Sequence, residues 1–277
     1  MSPTEIDVDA FVEFEANGFT RVADEYDRHF GSLTTRTADA LLDAAGVGRG
    51  SRLLDVGTGP GYVAAMAAAR GASVLGMDLS PGCIDLARRL HPELEFRQGD
   101  AHRLPLPDAS FDAAVANFLV PHLADHARAA AELGRVLDDG GRVALSTWDR
   151  PELTPLPGAL FLAVGQAGAP AAEGVPPGPP FFHYADDAAF AGLLHDAGLV
   201  DVTVTNLAFT YRMPSADALW DALLDGTVRA SAQVRGQTPD MQRSIRRAFD
   251  RIVADYHTGS ELELPVSVKI AAGRKAA

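Results

Sequence analysis

Leu53-Leu54-Asp55-Val56-Gly57-Thr58-Gly59-Pro60-Gly61 runs from an apolar strand into a glycine-rich turn, and an Ala-rich helix over Gly61–Arg70 follows. The turn needs backbone freedom at Gly57 and Gly59 so that the chain can approach a ligand closely. On its own such a turn is common in α/β proteins; its surroundings give it meaning. A second apolar strand, Ala72–Met77, ends on Asp78. An acid at the tip of the second strand is placed to accept two hydrogen bonds from a ribose diol.

The alternation continues outward from this unit. Ser51–Val56 is the first strand. Ser80 as N-cap and Pro81 at the first helical position open a helix over Gly82–His91. Leu94–Gln98 and Phe111–Asn117 read as the next strands. A helix over His122–Leu137 stops at Asp139-Gly140-Gly141, and Arg142–Thr147 is the fifth strand. Strands alternating with helices of this length imply a parallel sheet covered on both faces. Upstream, Asp9 to Val47 reads as two helices broken near Gly31. After Trp148 the regularity lapses into a Pro/Gly/Ala-rich stretch with one helix near Pro157–Gly168. A helix over Asp187–Ala197, a strand over Val202–Thr210, two or three helices between Ser215 and Tyr256, and a last strand, Leu262–Ala271, follow.

Two cofactor classes compete for the glycine turn. A dinucleotide brings a pyrophosphate, which favours GxGxxG and a helix N-terminus free of nearby negative charge. This turn is GxGxG, and Asp55 precedes it. A carboxylate there repels a pyrophosphate but suits an amino group or a cation. S-adenosylmethionine carries an ammonium and a sulfonium and fits better.

With these residues in place, the sequence resembles the class I S-adenosylmethionine-dependent methyltransferases, in particular the small-molecule group typed with the ubiquinone and menaquinone methyltransferases. The resemblance covers roughly residues 42–148. Asp55-Val-Gly-Thr-Gly-Pro-Gly61 matches the motif that wraps the methionine part of the cofactor, so Asp55, Gly57, Thr58, Gly59 and Gly61 become candidate cofactor contacts. Asp78 matches the ribose-binding acid, with Leu79 beside the adenine. Gly99-Asp100-Ala101 matches the motif that reads the adenine through Asp100 and the neighbouring amide. Asn117, ending the fourth strand, borders the reacting methyl group. Residues 137–142 match the turn before strand five. The resemblance implies a Rossmann-like, doubly wound sheet of seven strands with the last antiparallel. It also implies an N-terminal helical cap (1–47), a cofactor core (48–150) and a C-terminal half (151–277) with lid helices at about 215–256. The Asn/Asp-Pro-Pro-aromatic motif of many amino-methylating enzymes is absent; Asn117-Phe118-Leu119-Val120 stands in its place.

Composition narrows the partners. The 277 residues carry a net charge of −13, and Lys269 and Lys275 are the only lysines. An acidic, lysine-poor surface repels phosphate backbones, which argues against nucleic acid. It also leaves little room for Schiff-base chemistry. Cys83 stands alone, so no intramolecular disulfide or multi-cysteine metal site is expected. No long apolar run suggests a membrane span, and an acidic N-terminus is unlike a signal peptide; a cytoplasmic protein is the expectation.

Other residues carry two readings each. Tyr26 either touches the cofactor from the N-terminal cap or is a helix-surface tyrosine. His122, at the carboxyl end of strand four, is the candidate general base toward a hydroxyl, or else a residue that caps the next helix or lines the cleft. His122 and His126 are spaced i, i+4, but no third ligand is evident and no metal is expected. Phe181-Phe182-His183-Tyr184 either lines an apolar substrate pocket or packs its loop onto the core. Arg243, Arg246, Arg247 and Arg251 form either an anion-binding face or a solvated charged one. Cys83, Trp148 and Trp220 read as packing residues. The expected function is methyl transfer from S-adenosylmethionine to a small, partly apolar metabolite, at oxygen or carbon. The alternative is a homologue that keeps the cofactor as a structural ligand, for a cyclisation or isomerisation or for no catalysis.

Overall fold

The fold was obtained as a computed structural model, which describes residues 6–277. In chain order the elements are α1 (Val8–Thr34), α2 (Ala38–Ala44), β1 (Arg52–Val56), α3 (Tyr62–Ala69), β2 (Ser73–Asp78), α4 (Pro81–Leu90), β3 (Glu95–Gln98), β4 (Phe111–Ala116), α5 (His126–Val136), β5 (Leu137–Trp148), α6 (Pro155–Gln166), α7 (Asp187–Asp196), β6 (Leu199–Met213), α8 (Ala216–Gly226), α9 (Arg229–Arg235), α10 (Pro239–Val253), β7 (His257–Thr258) and β8 (Glu261–Lys275).

The strands join in the order β3-β2-β1-β4-β5-β8-β6, with the two-residue β7 paired to β8. β1 to β5 pair in parallel, and β8 runs antiparallel between β5 and β6. The expected Rossmann-like doubly wound sheet with an antiparallel last strand is therefore present, and β7 adds a short eighth strand. α2, α3 and the inserted α6, α8 and α10 bury one face of the sheet; α5 and α7 bury the other. The central strands are apolar on both sides, as a doubly covered parallel sheet requires. Ser80, Asp125, Asp186 and Ser215 cap α4, α5, α7 and α8 by accepting a first-turn N–H. Among the described residues, no helix is long and apolar enough to cross a membrane.

Strands β5 and β6 are longer than the sequence reading, and residues 137–142, read as the turn before strand five, belong to β5. Two helix boundaries also differ, each for a packing reason. α1 runs through Gly31 without a break and ends three residues later, at Thr34, followed by a 3₁₀ turn. A Cβ at Gly31 would meet Asp27 Oδ1 at 2.6 Å and Tyr62 Cε2 at 3.1 Å. The glycine lets Tyr62 of α3 lie against α1 and donate to Asp27 (2.7 Å). The helix expected to start at His122 starts at His126. Val120–His122 instead form a 3₁₀ turn, because Asp125 is the N-cap, accepting from Arg128 N (3.0 Å). His122 and His126 therefore do not share a helix face.

α1 lies across the carboxyl ends of the strands and packs on α4 and α8. Its C-terminal end is fixed by Asn117, just beyond β4. The Asn117 Oδ1 accepts from Thr37 Oγ1 (2.6 Å) and Ser146 Oγ (2.7 Å), and Nδ2 donates to the Thr34 carbonyl (3.0 Å). One amide thus joins β4, β5 and the α1–α2 junction. Asn117→Ala leaves the Ser146 hydroxyl proton without an acceptor and cuts the link from β4 to Thr37 and Thr34, which keep their hydrogen bond to each other (2.7 Å). A loss of about 1–3 kcal/mol is therefore expected in urea denaturation. A loss of a few tenths would show that the joint does not hold the cap.

Candidate active site

The glycine turn and the tip of β2 form the floor of a cradle, and α1 forms its roof. Gly57 (φ 68°) and Gly59 (φ 52°) both adopt left-handed conformations. At Gly57 a Cβ would lie 2.9 Å from Leu119; at Gly59 it would meet nothing within 4 Å, which leaves room above the turn for a ligand. Asp78 locks the turn to its own strand end, accepting from Gly59 N and Ser80 N (both 2.9 Å). Each oxygen keeps a further lone pair. Asp78, Leu79, Asp100, Ala101, Asn117 and Tyr26 all line this cradle. Asp55, Thr58 and Pro60 close its far end, where Tyr26 and Asn117 also face. Gly61 lines neither. Its left-handed φ (85°) starts α3, and the missing side chain makes room for Phe96 and His91.

The floor is acidic and largely buried. Asp55 is fully buried; its Oδ2 accepts from Thr58 Oγ1 (2.7 Å), while Oδ1 has no partner. Burial pushes its carboxyl up to about 7 against the Thr58 hydrogen bond, and the neighbouring Asp78 adds to the rise. Burial likewise raises Asp78, and its backbone donors and His122 only partly offset this. Desolvation also raises Asp100, but here it is outweighed. His102 donates to Asp100 from its backbone N (2.9 Å) and Nδ1 (2.7 Å), and the carboxyl is held below its usual range. His102 Nε2 accepts from Asp125 N (3.2 Å), which fixes that tautomer. An orphaned carboxylate oxygen at one end and acids with spare lone pairs along the floor fit an ammonium-bearing, diol-bearing ligand.

A second cavity of about 280 Å³ opens beside the cradle. Its walls come from α1, α6, the loop after α6, α8 and α9, and are mostly aromatic and aliphatic. Phe19, Tyr26, Phe118 and His122 belong to both cavities. Phe118 has φ 56°, a strained conformation for a residue with a side chain, held by its N–H donating to Ser146 Oγ (2.9 Å). That turns its ring onto Trp148, stacked at 4.1 Å. Trp148 is therefore a cavity wall as well as a packing residue.

His122 sits at the junction. Its Nδ1 is 2.9 Å from Oε2 of Glu15, a buried carboxylate on α1 whose other oxygen has no partner. Phe19 and Phe181 pack edge-on to the imidazole at 4.9 and 6.0 Å. A carboxylate that takes the Nδ1 proton leaves Nε2 with a lone pair, the state required of a general base. Sequence reasoning missed Glu15. The signal was available: Phe11, Glu15, Gly18 and Ala23 form the buried stripe of α1, and a carboxylate on an apolar helix stripe needs a reason.

The remaining clusters divide. Phe181 lines the large cavity and stacks on Phe161 (4.6 Å), whereas Tyr184 packs against His126 and Phe190 in the core. His126 Nε2 bonds the Val120 carbonyl (3.0 Å). Three of the four arginines of α10 are answered by nearby side chains: Arg243 by Asp240, Arg246 by Asp217 of α8 and Asp250, Arg247 by Ser244; Arg251 is exposed. Cys83 is buried against the cradle and its thiol is raised by desolvation. Trp220 packs on Phe249 (5.1 Å). Lys269, one of the two lysines, is buried and pairs with Asp187 (2.5 Å).

The chain is similar to known methyltransferases. Residues 54–145 match a family described as a methyltransferase domain. The chain is 32% identical over 176 residues to a demethylmenaquinone methyltransferase of Beutenbergia cavernae, covering 61% of this chain and 73% of that protein. It is 36% identical over 132 residues to a malonyl-[acyl-carrier protein] O-methyltransferase of Serratia marcescens, covering 48% of this chain and 51% of that one. In fold it is similar to a phosphoethanolamine N-methyltransferase of Haemonchus contortus solved in complex with S-adenosyl-L-methionine. That likeness has a TM-score of 0.59 at 18% identity, over 96% of this chain and 60% of that one.

The raised Asp55 carboxyl has a measurable consequence. Its folded value near 7 lies above the ordinary 3.8. The stability associated with the neutral form is thus whole in acid and is lost as pH rises through the folded value. Asp55→Asn keeps an acceptor for Thr58 and abolishes the titration. Without ligand, the variant should gain stability relative to wild type progressively between about pH 4 and 7 and level off above that, followed by thermal denaturation. A stability difference that does not change with pH would mean that Asp55 ionises without cost.

Proposed function

The chain belongs to the class I S-adenosylmethionine-dependent methyltransferases, and on that premise we propose that it methylates a small, partly apolar metabolite held in the aromatic cavity, at oxygen or carbon. The observation that carries this reading is the shared wall. Phe19, Tyr26, Phe118 and His122 face the cradle on one side and the cavity on the other, so a ligand in each would meet there.

The residues present fit the cofactor. The unpartnered Asp55 Oδ1 would accept from the ammonium, Asp78 would accept from the ribose diol, and the pocket beside Leu79, Asp100 and Ala101 would take the adenine. Gly57, Thr58 and Gly59 would let the backbone approach the methionine part, with Gly61 seating α3 beneath them. Tyr26 and Asn117 would border the methyl end. Bound there, the cofactor supplies a methyl group on a sulfonium, open to in-line displacement. The protein's part is to bring the nucleophile to within about 3–3.5 Å, aligned and without water. The aromatic walls and the α1 roof supply that enclosure. For a hydroxyl acceptor, His122 Nε2 takes the proton as the oxygen attacks, while Glu15 holds the ring by Nδ1 and stabilises the imidazolium. An electron-rich carbon needs less help, and the same enclosure serves it. The relatives named for quinone and malonyl-thioester substrates support a small-molecule acceptor of this kind.

Calorimetry should show S-adenosylhomocysteine binding that NAD does not displace, and Asp78→Ala should weaken it by about 1.5–3 kcal/mol. Incubation with S-adenosylmethionine and a panel of quinols, phenols and carboxyl thioesters should release S-adenosylhomocysteine above the acceptor-free control. With a hydroxyl acceptor, His122→Ala should slow turnover roughly 10²–10⁴-fold and leave cofactor affinity unchanged. Displacement by NAD would overturn the cofactor reading. Cofactor binding with no product across the panel would favour the alternative, a structural cofactor.

A further inference from the structure

Several polar groups in the walls of the large cavity are already engaged, although Tyr26, with its hydroxyl, and Trp148, with its indole N–H, also line it. The Gln233 amide is spent on the Pro170 carbonyl (2.6 Å) and the Ala172 N–H (2.9 Å). The Thr227 hydroxyl donates to the Leu223 carbonyl (2.6 Å), and that of Thr34 to the Phe30 carbonyl (3.0 Å). His122 uses one nitrogen on Glu15. Arg229, at the start of α9, is different. It lines the cavity, yet its Nε is buried with no partner. Burial lowers its pKa, and Glu15 answers the charge only at a distance, without a hydrogen bond.

The side chain is nevertheless held in place. The Phe11 ring, wholly buried, covers the guanidinium with its centroid 4.9 Å from Cζ. The loop backbone packs there too, since a Cβ at Gly178 would sit 2.9 Å from Cζ. A guanidinium seated on an aromatic ring keeps its in-plane N–H groups free, and their fork matches the two oxygens of a carboxylate. We propose that the acceptor carries a carboxylate, bound by Arg229 while the reacting atom lies at the His122 end of the cavity. Arg229 is the one Lys or Arg among the residues lining this cavity, which matches one negative charge; a phosphate dianion would leave charge unanswered. Glu15 and Asp78 beside His122 repel an anion from that end, so the same charges that recognise the acceptor also orient it.

The inference rests on reading the cavity as the acceptor site, but its test needs no turnover. The full chain, saturated with S-adenosylhomocysteine, is titrated with cinnamate, 2-naphthoate and octanoate, each against its neutral primary amide. At least one acid should bind roughly tenfold or more tightly than its amide, the scale of a charge-assisted hydrogen bond. Arg229→Met and Arg229→Gln should abolish that preference without changing S-adenosylhomocysteine affinity, which also reports that each variant is folded. Three equal acid–amide pairs, or a preference that survives both substitutions, would overturn the proposal and leave Arg229 as a distant counter-charge to Glu15. Acid selectivity with no methyl transfer to any acceptor would instead overturn the reaction and leave this site standing. Methyl transfer confined to neutral acceptors would do the reverse.

Discussion

The seating of α1 over the carboxyl ends of the strands turns an open crevice into two adjoining cavities, and the Asn117 amide is the polar joint beneath it. By accepting from Thr37 and Ser146 and donating to the Thr34 carbonyl, Asn117 ties the end of α1 to β4 and β5. Ser146 passes the constraint on, because its hydroxyl also receives the Phe118 N–H. Phe118 is thereby kept at a positive φ, a conformation that costs on the order of 1–3 kcal/mol, and its ring is stacked on Trp148 between the cavities. The strain and the roof are parts of one arrangement. Loosening the joint would expose to water a site whose electrostatics depend on burial.

Burial and missing partners set the acids of the site apart. Asp55, Asp78 and Glu15 lie in or against low-dielectric walls with no adjacent ion pair except the His122–Glu15 contact. In a site selected for stability alone, buried carboxylates would be paired or replaced by apolar side chains. Here Asp55 Oδ1 and Glu15 Oε1 are left without partners. Such groups suit a cationic ligand, and the family's cofactor carries two cationic centres. Arg229 is the converse case, a cation in a mostly apolar wall without a carboxylate to meet it.

Much of this was readable along the chain, and the reasons are local. A left-handed glycine, an acid at a strand tip and a Ser-Pro helix start each leave their mark within a few residues, so the turn at Gly57–Gly61, Asp78 and Ser80 could be recognised directly. Gly31 misled because a glycine inside a helix has two uses, to break it or to admit a neighbour, and only Tyr62 decides between them. The start of α5 misled for a similar reason. Asp125 competes with the residues before it for the cap, and the turn at Val120–His122 follows from how the chain leaves β4.

The sequence by itself determined the order of strands and helices, the nucleotide-type turn and the acidic character of its floor, because these follow from periodicity and from short-range backbone chemistry. Only the tertiary structure brought together groups from distant elements. Glu15 and His122 are 107 positions apart, and Arg229 reaches Phe11 and the Gly178 loop from the far half of the chain. Their roles depend on distance, burial and the absence of competing partners. Those are properties of packed surfaces, and no window of sequence contains them.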